Sequence, residues 1–532
     1  MWRKLIMGIP SFYRHLLRRN AKAYAAGSYK SLGLPGVSHF MLDFNCIIYA
    51  AMKTLKSVTS EAYEVGLRRE VGVWLERLVS LIGPTELLYI AVDGPVPLAK
   101  IHQQRLRRFK SVWLRRRDEA LRAELNIPAA AEGWDRNAIT PGTAFMNEMN
   151  RFLAAWALKW NKTVGCQCVL SGSDEAGEGE HKIMRRLSTM TGKNVVVYGL
   201  DADLILLGML HADLTGNRIL LCRENGEGTV TDVAELTIQF FDPTAVLETM
   251  WKDHCRDGTS RSVWLRDYIA IMSVLGNDFM PHSLGWTIRD DAISFILDGL
   301  ESICLREKMR LTVDGKINIH ILGKFFLWCS DEESRRVEKW LKQKEKFYPP
   351  TLKQIEPFAR AVEEAESEPM LRQTEMFLLE EGALSPNWRG LLETYHFSSS
   401  AQAEAAATEF IRGFSWVYAY YVDSTAVDVN WYYSWSSAPT FATLARVLKK
   451  MNSLPSPSGS AIPVSAITQL VMVLPPQSHG LLPVPVAWSL SKYFEYLPES
   501  FNLEYFGHRF LWECEPIIPF MPRALAEKIS GC

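Results

Sequence analysis

Between residues 37 and 224, short apolar runs alternate with long segments of helical periodicity. The runs lie at 37–42, 87–92, 165–171, 195–198 and 219–222, and most are bounded by Gly, Asp or Ser. Runs of this length with little polar alternation predict strands covered on both faces. The segments 61–80, 98–125 and 143–160 repeat apolar residues at helical spacing, and Thr140-Pro141-Gly142-Thr143 supplies a start signal for the third. Strand and helix in regular alternation predict a mostly parallel twisted sheet flanked by helices, an α/β fold. Around 330–395 the pattern becomes mostly helical and mixed in charge, with Glu363, Glu364, Glu366 and Glu368 close together, and reads as a surface connector. From 396 aromatics crowd in, among them Trp416, Tyr418, Tyr420, Tyr421, Trp431, Tyr432, Tyr433 and Trp435, and predict a second lobe over about 396–525. No internal repeat is visible.

Composition narrows the class. At 532 residues the chain exceeds the length that one core supports, roughly 250–300 residues. Hydrophobic residues at 48% and charged residues at 22% exclude a disordered or fibrous chain. No apolar run is long enough for a membrane-spanning helix. Nine scattered cysteines with no CxxC pair, Cys166 and Cys168 being the nearest, argue for a reducing compartment and against a zinc ribbon or disulfide framework. The first acidic residue is Asp43, preceded by Arg3, Lys4, Arg14, Arg18, Arg19, Lys22 and Lys30. Such a start is similar to a mitochondrial transit peptide. The reading preferred here is an amphipathic first helix with Phe12, Leu16 and Leu17 on its apolar side. The expected compartment is the cytoplasm, with the nucleus and then the mitochondrion as alternatives.

Candidate chemistry lies at the strand ends, where open parallel sheets bind ligands. Asp43, Asp93 and the pair Asp201/Asp203 each follow a predicted strand. Glu178 and Glu180 follow a glycine-rich turn that leads into a helix, and Asp278 follows Gly276-Asn277. Singly, each could be a helix cap or a solvated turn residue. Together, seven carboxylates at one mouth require cations. Oxygen-only ligands suit Mg²⁺ or Mn²⁺, and two such ions stabilise both the attacking and the leaving oxygen of a phosphodiester displacement. Directly after Asp93, Lys100, Gln104, Arg107 and Arg108 share an arc of about 100° on one helix face. That stripe reads either as a phosphate pocket or as a solvated basic face.

The ordered segments MGIPSF (7–12), LDFNCIIY (42–49), VDGPVPLAKIHQQRLRRF (92–109), ITPGTAFM (139–146), SGSDEAGEGEHKIM (171–184), GLDADLILLG (199–208) and LGNDFMPH (275–282) resemble the Xrn family of 5′→3′ exoribonucleases. GFSWVYAYY (413–421) and WYYSWSSAP (431–439) resemble that family's second conserved block. The resemblance implies a PIN/flap-nuclease-like core over 7–325, a helical connector over 326–395 and the second lobe over 396–525. It implies that Asp43, Asp93, Glu178, Glu180, Asp201, Asp203 and Asp278 are catalytic and hold two Mg²⁺ ions, with Mn²⁺ able to substitute. It implies that Lys100, Gln104, Arg107 and Arg108 hold a 5′-monophosphate, and that Tyr49 and Trp431 stack on bases. The implied activity is processive 5′→3′ hydrolysis of single-stranded RNA to nucleoside 5′-monophosphates in RNA turnover, with no membrane partner. Tyr49 stands where the family carries His, and residues 434–439 shorten the family's PYHYAP stretch. Six residues precede the family's usual start, so translation from Met7 is an alternative to Met1. The chain stops soon after PIIPF (516–520), so the family's extra C-terminal domains are expected to be absent. The competing readings are a structure-specific flap DNA nuclease and a non-catalytic RNA-binding scaffold, whose signature would be a lost acidic residue.

Overall fold

The computed structural model describes Leu16, the backbone alone at 24–26 and 60–61, and the rest of 36–531 apart from 56–59, 131–132, 200, 225–232 and 350–351. The question of Met1 or Met7, the segment 7–12 and the side chains of Phe12 and Leu17 lie outside the described residues. Leu16 is helical and buried in the core of the sheet domain.

Seven strands form one sheet: β1 (Tyr24–Ala26), β2 (His39–Asp43), β3 (Leu87–Ala91), β4 (Gln167–Ser171), β5 (Asn194–Tyr198), β6 (Arg218–Glu224) and β7 (Ile238–Phe241), in spatial order β1-β7-β6-β5-β2-β3-β4. The five strands from β6 to β4 in that order are mutually parallel, and β7 is antiparallel to both β6 and β1. The parallel five are the five expected from their apolar runs. β1 and β7 were not expected: Tyr-Ala-Ala and Ile-Gln-Phe-Phe are too short to show a period, and edge pairing rather than intrinsic propensity makes them strands. The direction in which successive strands are added reverses about β2. The chain runs β2 to β3 to β4 toward one edge, then crosses back to β5 and β6 on the other side of β2. Ligand sites form at such a switch point.

Alternating side chains split the core into two layers. Met41, Leu87, Tyr89, Ala91, Val195, Val197, Ile219 and Leu221 face one layer, together with helices α5 (Gly179–Leu187) and α6 (Asp203–Thr215). Phe40, Leu42, Leu88, Ile90, Val196, Tyr198, Leu220 and Cys222 face the other, under α1 (Asn45–Thr54), α2 (Ser60–Ile82) and α4 (Ala144–Thr163). The first layer continues without a break into Phe410, Phe414, Trp416, Tyr420 and Tyr421 of the helix Ser400–Val422. The boundary read at 325/326 falls inside the helix Ile319–Glu345, whose Phe325 and Phe326 are both buried in that layer. Helix α3 (Leu98–Glu124) packs Leu98 and Ile101 against Leu470–Leu474. Among the described residues no helix is long and apolar enough to cross a membrane.

Candidate active site

Seven carboxylates gather beyond the C-terminal ends of the parallel strands. Asp43 is the last residue of β2, and Asp93 lies two residues past β3. Glu178 caps α5 and Glu180 lies in its first turn, after β4. Asp201 and Asp203 follow β5, with Asp203 in the first turn of α6. The helix starts suit these charges, because helix polarity favours anions there. Asp278 enters from the loop after the turn Ser273–Leu275. Two glycines permit the convergence. A Cβ on Gly179 would stand 2.6 Å from Asp43 Oδ1, and one on Gly94 would overlap the Glu175 carbonyl at 1.6 Å. Backbone bonds join these turns, Gly94 N–H to Gly177 O at 2.9 Å and Gly177 N–H to Pro95 O at 2.8 Å. The Gly179 N–H then donates to Asp93 Oδ1 at 2.7 Å, and Asn45 Nδ2 donates to Asp93 Oδ2 at 2.8 Å.

The charges perturb one another. Burial, then Asp93, holds the Asp43 carboxyl well above the usual range. Burial, then Asp201, does the same to Glu180, and burial, then Asp201 and Asp278, to Asp203. Asp201 is pushed up to about 6 by burial and Asp278. At Glu178 burial acts upward but is outweighed, chiefly by Lys100, so its carboxyl stays low. Lys100 Nζ lies 2.6 Å from Glu178 Oε2 and 2.9 Å from Asp278 Oδ2. Burial lowers its ammonium pKa, but Asp278 and Glu178 reverse that and hold it well above its ordinary value. One ammonium cannot balance seven carboxylates. Asp203 Oδ1 is buried with no hydrogen-bond partner among the described residues. Glu178, Glu180 and His181 offer ligand atoms within 4.8 Å of one another. Hard, oxygen-rich and negatively charged, this donor set fits a divalent cation of the Mg²⁺ or Mn²⁺ kind.

The expected pocket residues meet different fates. Lys100 is drawn into the acidic cluster. Gln104 is buried and accepts from Gln469 Nε2 at 3.2 Å. Arg107 is half-buried, and Arg108 is buried with Nη1 lacking a partner among the described residues. Burial, then Arg107, pulls the Arg108 guanidinium down to about 10. Tyr49 is 40% exposed on α1, so it does not pack into the core behind Ile47 and Ile48. Trp431, in contrast, is 3% exposed. Its ring lies 4.9 Å from that of Trp416 and its Nε1 donates to Glu409 Oε2 at 3.1 Å, so it presents no open face for a base. The crowded aromatic core around Trp416 claims it instead.

Four further residues serve the site without having been singled out for it. Tyr420 donates its hydroxyl to Glu178 Oε1 at 2.6 Å, and the Tyr421 hydroxyl bonds Asp203. Asn45 orients Asp93. Lys182 Nζ donates to the Val92 and Gly172 carbonyls, each at 2.7 Å, tying the glycine-rich turn to the end of β3. Asn45 and Lys182 lie inside the quoted segments 42–49 and 171–184. The tyrosines lie in the second block, and nothing in their spacing shows that their helix crosses the strand ends.

The chain is similar to several known proteins. It is 29% identical to the 5′-3′ exoribonuclease 1 of Saccharomyces cerevisiae over 63% of this chain and 23% of that one. It is 25% identical to the human 5′-3′ exoribonuclease 1 over 99% of this chain and 34% of that one. The chain thus spans well under half the length of these curated relatives. Among solved structures, the catalytic core of Rad2 in complex with DNA substrate covers 82% of this chain at 12% identity, with 94% of its own length matched and a TM-score of 0.32. Residues 7–225 match the family profile described as XRN 5′-3′ exonuclease N-terminus, and residues 391–529 match that described as Xrn1 helical domain. With both conserved blocks matched in order around one acidic centre, the chain belongs to the Xrn family of 5′-3′ exonucleases.

Proposed function

We propose that this chain is a Mg²⁺-dependent 5′→3′ exoribonuclease, with Mn²⁺ able to substitute, that degrades single-stranded 5′-monophosphorylated RNA processively to nucleoside 5′-monophosphates in RNA turnover. The observation that carries the reading is the placement of α3: it begins with Lys100 inside the acidic cluster and carries Arg107 and Arg108 outward on the same face. Seven to eight residues of helix separate them, about 11 Å of rise, which leaves room for one nucleotide. A terminal phosphate held at the arginines would put the first phosphodiester at the acids, so that each cut releases one nucleotide. Bidentate guanidinium contacts suit a phosphate monoester, whereas a cap would exceed the space.

Asp43, Asp93, Glu178, Glu180, Asp201, Asp203 and Asp278 would hold the divalent ions. When bound, such ions supply the positive charge that the attacking and leaving oxygens of the displacement need. The chain's own groups bind and orient. Lys100 offers its ammonium to the scissile phosphate, Tyr420 and Asn45 fix the rotamers of Glu178 and Asp93, and Tyr49, exposed beside the arginines, meets the first base. A reducing compartment such as the cytoplasm suits the eight cysteines that form no disulfide among the described residues. The test is digestion of matched RNA and DNA strands carrying 5′-phosphate, 5′-hydroxyl or cap, with Mg²⁺ and with chelator. The expected result is Mg²⁺-dependent loss of 5′-phosphate RNA alone. Preferential cleavage of DNA flaps would favour the flap-nuclease reading instead.

A further inference from the structure

Strand β6 lies across β2 from β3, the strand that leads to Asp93 and α3. Its last residues alternate across the sheet. Glu224 turns to the second layer, where its Oε1 accepts from the Tyr198 hydroxyl at 2.8 Å. Arg223 follows Ile219 and Leu221 onto the first-layer face, as Asp43 follows Met41 two strands away. Little stands between them. The Gly199 N–H donates to Cys222 O at 3.2 Å, and a Cβ on Gly199 would lie 3.5 Å from Asp43 Cβ. Antiparallel pairing with β7 sets Gln239 directly opposite Arg223, and residues so paired share a face. Arg223 and Gln239 line one small pocket with Asp201 of the acidic centre and with the apolar Ile205, Leu221 and Phe241. The pocket holds about 30 Å³, room for a phosphate oxygen and too little for a base. A polyanion drawn across seven acids needs cations on both sides of them. The arginines of α3 supply one side, and Arg223 stands at the other, where its fork suits phosphate oxygens.

We propose that Arg223, beside Gln239, holds the phosphodiester that follows the scissile one, between the second and third nucleotides. This rests on the exoribonuclease reading and adds to it a contact on the 3′ side of the cut. The guanidinium meets an oxygen of that linkage at the mouth of the pocket, with the Gln239 amide as a second polar group. After each cut the same linkage is the next to move onto the acids. Arg223 thus keeps the shortened chain in place while the mononucleotide leaves.

The test is release of the first nucleotide from a 5′-phosphorylated RNA trinucleotide, labelled at that phosphate, in Mg²⁺. Its second phosphodiester is either native or a neutral methylphosphonate. The full chain is compared with Arg223→Ala and Arg223→Lys, and melting curves confirm that the variants fold. In the parent the neutral linkage should raise KM about tenfold or more with kcat little changed, as expected for loss of a charge-assisted hydrogen bond. Arg223→Ala should treat the two substrates alike, with KM near the parent's value for the neutral one, and Arg223→Lys should keep part of the difference. A parent indifferent to the second linkage would overturn the proposal. So would an Arg223→Ala chain that keeps the parent's preference. Either result still shows a nucleotide released from a 5′-phosphate end and leaves the exoribonuclease reading standing. A parent that releases no nucleotide from either substrate would sink that reading and the proposal with it.

Discussion

Asp203 sits at a helix start that favours its charge, yet burial and two acidic neighbours hold its carboxyl protonated well above the ordinary range. Asp201 beside it is pushed up to about 6. A carboxyl raised by folding stabilises the fold when protonated. Its contribution is complete below the unfolded value, about 4, and is lost as pH rises through about 6. Without divalent ions the chain should therefore melt at lower temperature at about pH 7.5 than at about pH 5, and Mg²⁺ should raise the melting temperature at the higher pH only, where protons no longer compete for the same oxygens. Scanning fluorimetry in chelator and in Mg²⁺ checks this, and a melting temperature that climbs with pH in chelator would contradict it. Asp203→Asn should flatten that profile. It should also lower turnover by more than the roughly 100-fold loss seen when a group that merely orients a ligand is removed. Turnover close to the parent's would remove Asp203 from the site.

Helix α3 shows how far sequence alone reaches. Its span, 98–125 from periodicity and Leu98–Glu124 observed, was legible because apolar residues recur along one side. The arc shared by Lys100, Gln104, Arg107 and Arg108 was legible too. What each of these side chains bonds was not, because the partners lie on other elements, some of them hundreds of residues away. Arg105, one position outside the arc, is fully buried and donates to Pro519 O at 3.1 Å, to Met472 O at 2.8 Å and to the Tyr496 carbonyl. Lys110 donates to Trp512 O at 3.0 Å and Cys514 O at 2.9 Å. These two staple α3 to the C-terminal segment. Arg105→Leu should destabilise the fold by about 3 kcal/mol or more, since three carbonyls, that of Met472 within the core, lose a buried charged donor. Arg105→Lys should recover only part, because an ammonium cannot match the guanidinium fork. Urea unfolding of both variants measures it. The same limit explains Trp431: a tryptophan at a matching position says nothing about whether its ring faces a cleft or, as here, Trp416.

At the scale of the whole molecule, the two core layers place the site. One layer closes the sheet from behind, while the other carries the helix Ser400–Val422 across the strand ends and delivers Tyr420 and Tyr421 to Glu178 and Asp203. Six of the seven acids were legible as a set because each ends or follows a strand of the parallel sheet, whereas Asp278 comes after a helix and a turn. The centre's dependence on residues some two hundred positions later was not legible. Tyr420→Phe should therefore lower turnover roughly 10–100-fold, as removal of an orienting group does, with little change in substrate binding; an unchanged rate would mean that the second block only supports the sheet. The central claim is that one nucleotide fits between the arginines of α3 and the seven acids. The most direct measurement is the product pattern from 5′-monophosphorylated RNA labelled at its 3′ end, followed over time in Mg²⁺. Full-length RNA should disappear into mononucleotides with few intermediates, and no reaction should occur in chelator. Internal fragments of many lengths, or cleavage that persists in chelator, would contradict it.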